Sequence, residues 1–542
     1  MTSVRLPLRP LELGDGRVVR LRDGGTAPAS AAWDMFLAAH RGDLAGVASL
    51  EERHAGLCLY EYNYTPPLHF AAREGHAPVV VFLLDRGADA TYRSYPFLDD
   101  LWTLASERDH AAVTELLGRH LRERFPWSPH VAPLLEAAAA GNVARVDAEL
   151  AVHAGIASGS DLAGDTALHR AAGHGHAALV RHLLQAGAPV DAVRGDGWRP
   201  VHSALMPARE ARVAPARAAE VATILLAAGA RQTPFVAAML GDRRAMETML
   251  AEDASLANAA DTCHRRPISA AAERGDLGLV ELLLAHGADP NLPEAGAERG
   301  HALWRAVWHG HVDVVRALLA RGADPNGRVE SSGTAGVIGR QRPELWPLLV
   351  AAGAKVAESP RERFAQAVGD GDQALVRQLL DADPTLVDDP DAAWGEGILA
   401  GPSNGADLGM VELLLDRGAR VPSLAKWGPE YYGKHVAVLR RLLERGMDPD
   451  HGNWHRTRLL HHAAARGAVE KVALLLEHGA TLDAIDDEYR STPLGFAARW
   501  GQVEVARLLL TRGADRELAG AAWATPRAWA GRRGHASIMD LL

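Results

Sequence analysis

The chain has 542 residues, with 58 Lys and Arg against 68 Asp and Glu, and a formal net charge of −10 whose two signs are interspersed. That balance argues against broad binding to nucleic acid or to an anionic membrane, which ask for a basic stripe, and no apolar run of about eighteen residues is present to cross a bilayer. The two cysteines, Cys58 and Cys263, lie far apart at no metal-ligand spacing, so a reducing compartment is expected.

Residues 1–32 read as an extension outside the periodic part of the chain. Alternating Val4, Leu6 and Leu8, then Leu11 and Leu13, a Gly14-Asp15-Gly16 turn and Val18-Val19-Arg20-Leu21 predict a β-hairpin that caps the first unit. The segment has no basic region followed by an apolar core, as a secretory leader would, and a cytoplasmic location is expected. Only four of the 58 basic residues are lysine, a bias that points to a GC-rich, bacterial source.

From Trp33 to Leu542 one phrase returns. It is clearest as Thr166-Ala167-Leu168-His169-Arg170-Ala171-Ala172, then Gly175-His176, Leu183-Leu184 and Gly187-Ala188. The glycine after the first helix serves as a ruler: Gly42, Gly75, Gly141, Gly175, Gly241, Gly275, Gly310, Gly371, Gly467, Gly501 and Gly534. Most intervals are about 33 to 35 residues or near multiples, the signature of stacked two-helix units that cannot bury their apolar faces alone. Thr fits a helix N-cap, Pro the first helical position, the Leu pairs a continuous core and the following Gly a left-handed helix end. Four stretches depart from the pattern, near 197–232, 327–343, 389–405 and 427–454, and gain Gly, Ser and Pro. They are predicted bends, hinges or binding loops.

The motif resembles the ankyrin repeat. Thr492-Pro493-Leu494-Gly495-Phe496-Ala497 and Pro66-Pro67-Leu68-His69-Phe70-Ala71 follow that family's helix start, and Gly287-Ala288-Asp289-Pro290-Asn291 and Gly322-Ala323-Asp324-Pro325-Asn326 follow its helix-to-finger transition. About sixteen units fit between Trp33 and Leu542. The resemblance implies an all-α solenoid of stacked helix-turn-helix units with β-hairpin fingers, and a non-catalytic scaffold that binds a partner protein or peptide on its concave, finger-bearing face.

By analogy with the family, that face uses the two residues before each ruler glycine together with the finger tips. The resulting partner-binding set is Arg73, Glu74, Tyr92, His174, Trp198, Glu273, Arg274, Trp308, His309, Arg466, Arg499 and Trp500, mixing Arg and Trp, which anchor many interfaces. Tyr60, Tyr62, Tyr64, Tyr92 and Tyr95 crowd the first two fingers, where alternation would place three rings on one side of an extended segment, either to grip a peptide or to pack finger on finger. Arg532-Arg533 reads as a solvated end of the last unit.

The motif histidines His69, His169, His202 and His461, and His76, His176, His311 and His535 after the ruler glycine, read as structural, and no metal or cofactor is expected. No phosphate loop, nucleophile elbow or HExxH is present. Glu273, Arg274, His309 and Asp370 leave open the alternative of an enzyme or small-molecule-binding protein, with its site grafted into the groove at an irregular unit, near Trp198 or Trp394.

Overall fold

The computed structural model describes residues 6–542 apart from 22–24, 95, 129, 154, 207–211, 295, 296, 298, 330–332, 356–358, 389–391, 393–395 and 423–427, with backbone alone at 428 and 430. Val4, Tyr95 and Trp394 therefore lie outside the described residues. Almost all the regular elements among the described residues are helices, and the α-helices follow one another in short packed pairs. They group into a terminal unit, residues 1–117 with 357–542, and a middle unit, residues 118–356.

One repeat shows why these residues fold this way. Thr166 caps the helix Ala167–Gly173 by accepting the His169 N–H, while the His169 imidazole Nδ1 accepts the Thr166 N–H at 3.3 Å and Nε2–H donates to the Trp198 carbonyl of the next finger at 3.2 Å. His461 repeats this with Arg458 N–H at 3.1 Å and the Ala484 carbonyl at 2.9 Å. A single neutral tautomer thus staples a helix start to the next unit. Burial pushes both imidazoles down to about 3, which keeps that tautomer in place.

The residue after the left-handed end of the first helix, most often the ruler glycine, carries one of two devices in most units. Asp43, Asn142, Asp242, Asp276, Asp372 and Asp407 cap their own second helix. His76, His110, His176, His311 and His535 instead reach back and donate to a carbonyl at the end of the preceding unit's first helix, at 2.9 to 3.2 Å. Gly42 lies under such a ring: its φ is +73° and a Cβ there would stand 2.5 Å from His76 Nδ1, so conformation and contact both demand glycine.

In the middle unit the Ala-Asp-Pro-Asn fingers are tied by an asparagine ladder. Asn258, Asn291 and Asn326 each donate through Nδ2 to the carbonyl of Gly287, Gly322 and Gly353 and accept the N–H of Asp289, Asp324 and Lys355. Fingers hold isolated antiparallel bridges, as at Arg328 with Thr334 and Gly452 with Arg458, in place of longer strands. The irregular units keep their helix pairs, but with first helices cut to Pro200–Leu205, Ala335–Gly339, Ala400–Gly405 and Gly428–Tyr432.

The N-terminal hairpin departs from its expected register. Val18–Arg20 pairs with Thr26–Pro28, not with the segment before Gly14, where Leu11–Leu13 forms a 3-10 turn. Its second strand runs directly into the helix Ala29–Arg41, so the pairing is set by chain continuity. Among the described residues no helix is long and apolar enough to cross a membrane.

Candidate partner-binding face

In the terminal unit the inner helices of the first units are filled by fingers from the last units. Trp454 lies among Trp33, Phe36, Tyr62 and Phe70, with ring centroids 5.3 to 6.5 Å apart. Its carbonyl accepts the Leu8 N–H at 3.0 Å. The reciprocal insertion is Phe97, from the finger before Leu101–Glu107, which packs 4.6 Å from Trp500 and 5.8 Å from Phe496.

Charge locks this arrangement. The Glu488 carboxylate accepts from Arg73 at 2.9 Å and from His69 Nε2 at 3.1 Å, and Arg108 donates to the Glu488 carbonyl. Burial alone would raise the Glu488 carboxyl, but His69 and Arg73 outweigh it and hold it well below the usual carboxylate range. Arg73 also binds Glu74 at 2.9 Å, and Arg490 reaches Glu74 from the opposite side. Tyr489 donates its hydroxyl to Asp99 at 2.7 Å. Arg499 pairs with Asp99 at 2.9 Å and Glu107 at 2.8 Å, its guanidinium 4.7 Å from the Tyr489 ring centroid and 4.5 Å from that of Trp500.

The structure therefore divides the sequence-derived set. Arg73, Glu74, Arg499 and Trp500 are engaged within the chain as just described, and Tyr92 packs edge-on to His69 at 5.6 Å. The expected open face of the terminal unit is covered because acidic and aromatic fingers satisfy its cations and rings. Arg466 is exposed in the same unit. Arg532 and Arg533 are exposed, as expected, and pair with Asp109 and Glu107. Three tyrosines do not line one extended side, since Asn63 and Tyr64 both adopt positive φ in a turn bridging Tyr62 and Thr65. Tyr60 and Tyr62 instead line an open cleft of about 550 Å³ with Glu12 and Val18–Arg20.

The remaining residues belong to the middle unit. Trp304 and Trp308, one turn apart on the helix Ala302–His309, stack in parallel at 5.1 Å, and Trp308 is 50 % exposed. Arg305 lies 5.6 Å from the Trp304 ring centroid and 3.5 Å from Glu273. Exposed Arg274 donates to the Met239 carbonyl at 3.0 Å and Arg342 to that of Trp308. His309 is exposed beside His311, and burial holds its imidazole below the ordinary value. His174 is half-buried, its Nδ1 2.9 Å from the Arg170 carbonyl, and Trp198 packs partly buried against the core with Arg194 over its ring. Asp370 belongs to the terminal unit, apart from the Glu273, Arg274 and His309 with which it was grouped.

His202, Asp261 and Cys263 offer ligand atoms within 4.8 Å of one another. The donor set does not suit a metal. His202 Nδ1 accepts the Arg199 N–H at 3.1 Å, so its single proton lies on Nε2, facing Asp261 at 3.2 Å. Asp261 also accepts from Thr233 and the Thr262 N–H, and burial pushes the Cys263 thiol up to about 12.

Sequence reasoning missed Trp454, Phe97 and the acidic finger Asp486-Asp487-Glu488. Their signal was the placing of bulky and charged side chains at finger tips, complementary to Arg73 and Arg108 some four hundred residues earlier.

Models of ankyrin repeats match residues 235–328 and 425–518 as three-copy arrays, 168–210 as a many-copy array and 64–95 as a single repeat. Among curated proteins, the chain is 34% identical over 106 residues to the palmitoyltransferase Hip14 of Drosophila melanogaster, covering 18% of this chain and 17% of that one. It is 36% identical over 76 residues to the palmitoyltransferase ZDHHC13 of Mus musculus, covering 14% and 12%. It is also 33% identical over 118 residues to the ankyrin repeat, SAM and basic leucine zipper domain-containing protein 1 of Dasypus novemcinctus, covering 20% and 25%. The chain spans a quarter or less of the length of these relatives, all from animals, which lend no support to a bacterial source. The human ASB11 ankyrin repeat domain aligns at 24% identity and a TM-score of 0.25, over 42% of this chain and 86% of that one. The matched stretches carry the same capped helix pair, ruler glycine and finger that recur between them, so the chain contains ankyrin repeats.

Proposed function

We propose that the stacked two-helix units form a non-catalytic scaffold that holds a partner protein on the inner helices and fingers of the middle unit. The observation that carries this reading is the half-exposed Trp308, stacked on Trp304, with Arg305 over the Trp304 ring and Arg342 at the Trp308 carbonyl, at positions the repeat leaves free. Exposed Trp beside Arg is the composition of interface anchors. The terminal unit supports the reading in another way: its equivalent positions already bind protein, in the form of the chain's own fingers.

The test is affinity capture from a lysate of the source organism with wild type and with a Trp308→Ala, His309→Ala variant. Both positions are surface residues of a helix whose core contacts are Leu303, Ala306 and Val307. Loss of a captured protein in the variant at unchanged helical signal is expected. A captured set identical in both would overturn the placement on this face.

A further inference from the structure

The terminal unit displays what the inner helices of this chain hold. On the helix Pro67–Arg73 the occupant is the finger Asp486–Arg490, with its Glu488 carboxylate between His69 and Arg73, while the adjoining Tyr489 ring lies against Arg499 of the helix that follows the finger. His69 and Arg73 stand six and two residues before Gly75; Trp304 and Trp308 stand six and two residues before Gly310. Arg305 takes the place of Phe70, and His309 that of Glu74. The register that grips a carboxylate in one unit thus presents two indoles and a guanidinium in the other.

Coverage differs between the two. Phe36 and Phe70 are fully buried by the fingers, whereas Trp308 is half exposed. Beside Trp304 and Trp308, Arg305 lies over the Trp304 ring and Arg342 reaches the Trp308 carbonyl, and Glu273 faces Arg305 at 3.5 Å. A ligand for this face must bring negative charge and a flat apolar group.

We propose that the helix Ala302–His309 and its neighbours dock an acidic-aromatic turn of a partner protein, in which adjacent carboxylates precede a Tyr, Phe or Trp ring. The ring stacks on Trp308 and the carboxylates meet Arg342 and Arg305. The turn is of the kind this chain builds at Asp486, whose carboxylate accepts the N–H groups of Glu488, Tyr489 and Ser491. This deepens the scaffold reading and rests on it.

The probe is a labelled peptide with the sequence of residues 484–492, cyclised to hold the turn, titrated into the full chain and followed by fluorescence anisotropy. Saturable binding is expected, weakened about tenfold or more by Trp308→Ala and largely retained by Trp308→Phe. A peptide with its Asp-Asp-Glu changed to Asn-Asn-Gln should bind at least about tenfold more weakly. No saturable binding, equal affinity for Trp308→Ala, or equal affinity of the amide peptide would each overturn the proposal. A protein captured from lysate and lost with Trp308→Ala, without any peptide binding, would leave the scaffold standing and sink only the acidic-aromatic chemistry.

Discussion

Several contacts of the terminal unit converge on Arg499, and its removal is a sharp test of how that unit is held. Arg499→Ala would remove the buried cation from the half-buried Asp99 and Glu107 carboxylates, leaving them Tyr489 and the exposed Arg533, and would empty the space beside Tyr489, Trp500 and Trp529. Breaking a buried pair from one side costs about 3–5 kcal/mol, far more than the pair contributes net, so a large drop in the urea midpoint is expected. The histidines give a second test. His169, His455 and His461 are held down to about 3, and His451 to about 4, chiefly by burial. Because these folded values lie below the ordinary 6.5, their stabilisation is present above pH 6.5 and is lost as pH falls toward 3. Glu294 and Asp486, pushed up to about 7 by burial, act in the opposite sense: their contribution is present at acid pH and is lost as pH rises through 7. Four groups against two decide the sign, and the urea midpoint should fall as pH is lowered from 6.5 to 4.5. Ring signals of His169 and His461 should keep their neutral positions across that range. The motif histidines were legible because each role repeats with the period. Arg73 and Arg499 were legible as surface-type residues only, since nothing local marks a cation whose counter-ion lies several hundred residues away.

At the scale of the element, glycine separates conformation from contact. Gly187 ends a second helix with φ +85° and open space around it, while Gly197 has φ +80° and would place a Cβ 1.8 Å from the Thr262 carbonyl oxygen. Gly187→Ala should therefore cost only the left-handed backbone preference, about 1–2 kcal/mol. Gly197→Ala must also move a neighbouring finger and should cost about 3 kcal/mol or more. Thermal melts of the two variants side by side check the difference; equal shifts would remove the close approach from the account. Helix pairs, caps and ends could be read from the chain because period, capping residue and glycine agree at each unit. The short first helices such as Ala335–Gly339 could not, since there the motif is lost while the packing survives: a Cβ on Gly339 would lie 2.1 Å from Leu349 Cδ1, so the glycine that weakens the pattern is what lets the pair close. The N-terminal hairpin failed for a related reason. Alternation marked its strands, but the choice of partner strand depends on the helix that follows.

At the scale of the whole molecule, the terminal unit joins the two ends of the sequence through one aromatic plug. Trp454→Ala would leave a cavity among Trp33, Phe36, Tyr62 and Phe70, at a cost of about 3–5 kcal/mol. Its effect should be shared: amide exchange should quicken together in the helices Ala29–Arg41 and Pro67–Arg73 and in the finger Asp486–Ser491. Faster exchange confined to the neighbourhood of Trp454 would show that the two groups of units are energetically independent. Repeat proteins fold through neighbours, but this contact is remote, with Arg73 and Glu488 separated by 415 positions. A ribosome adding about 5–20 residues each second takes about 20–80 seconds to cover that distance. For that long a newborn chain carries Phe36, Phe70 and Arg73 facing water with no fingers to cover them, an interval in which a chaperone, or a second nascent copy offering the same acidic turn, competes with the chain's own last repeats for the seat.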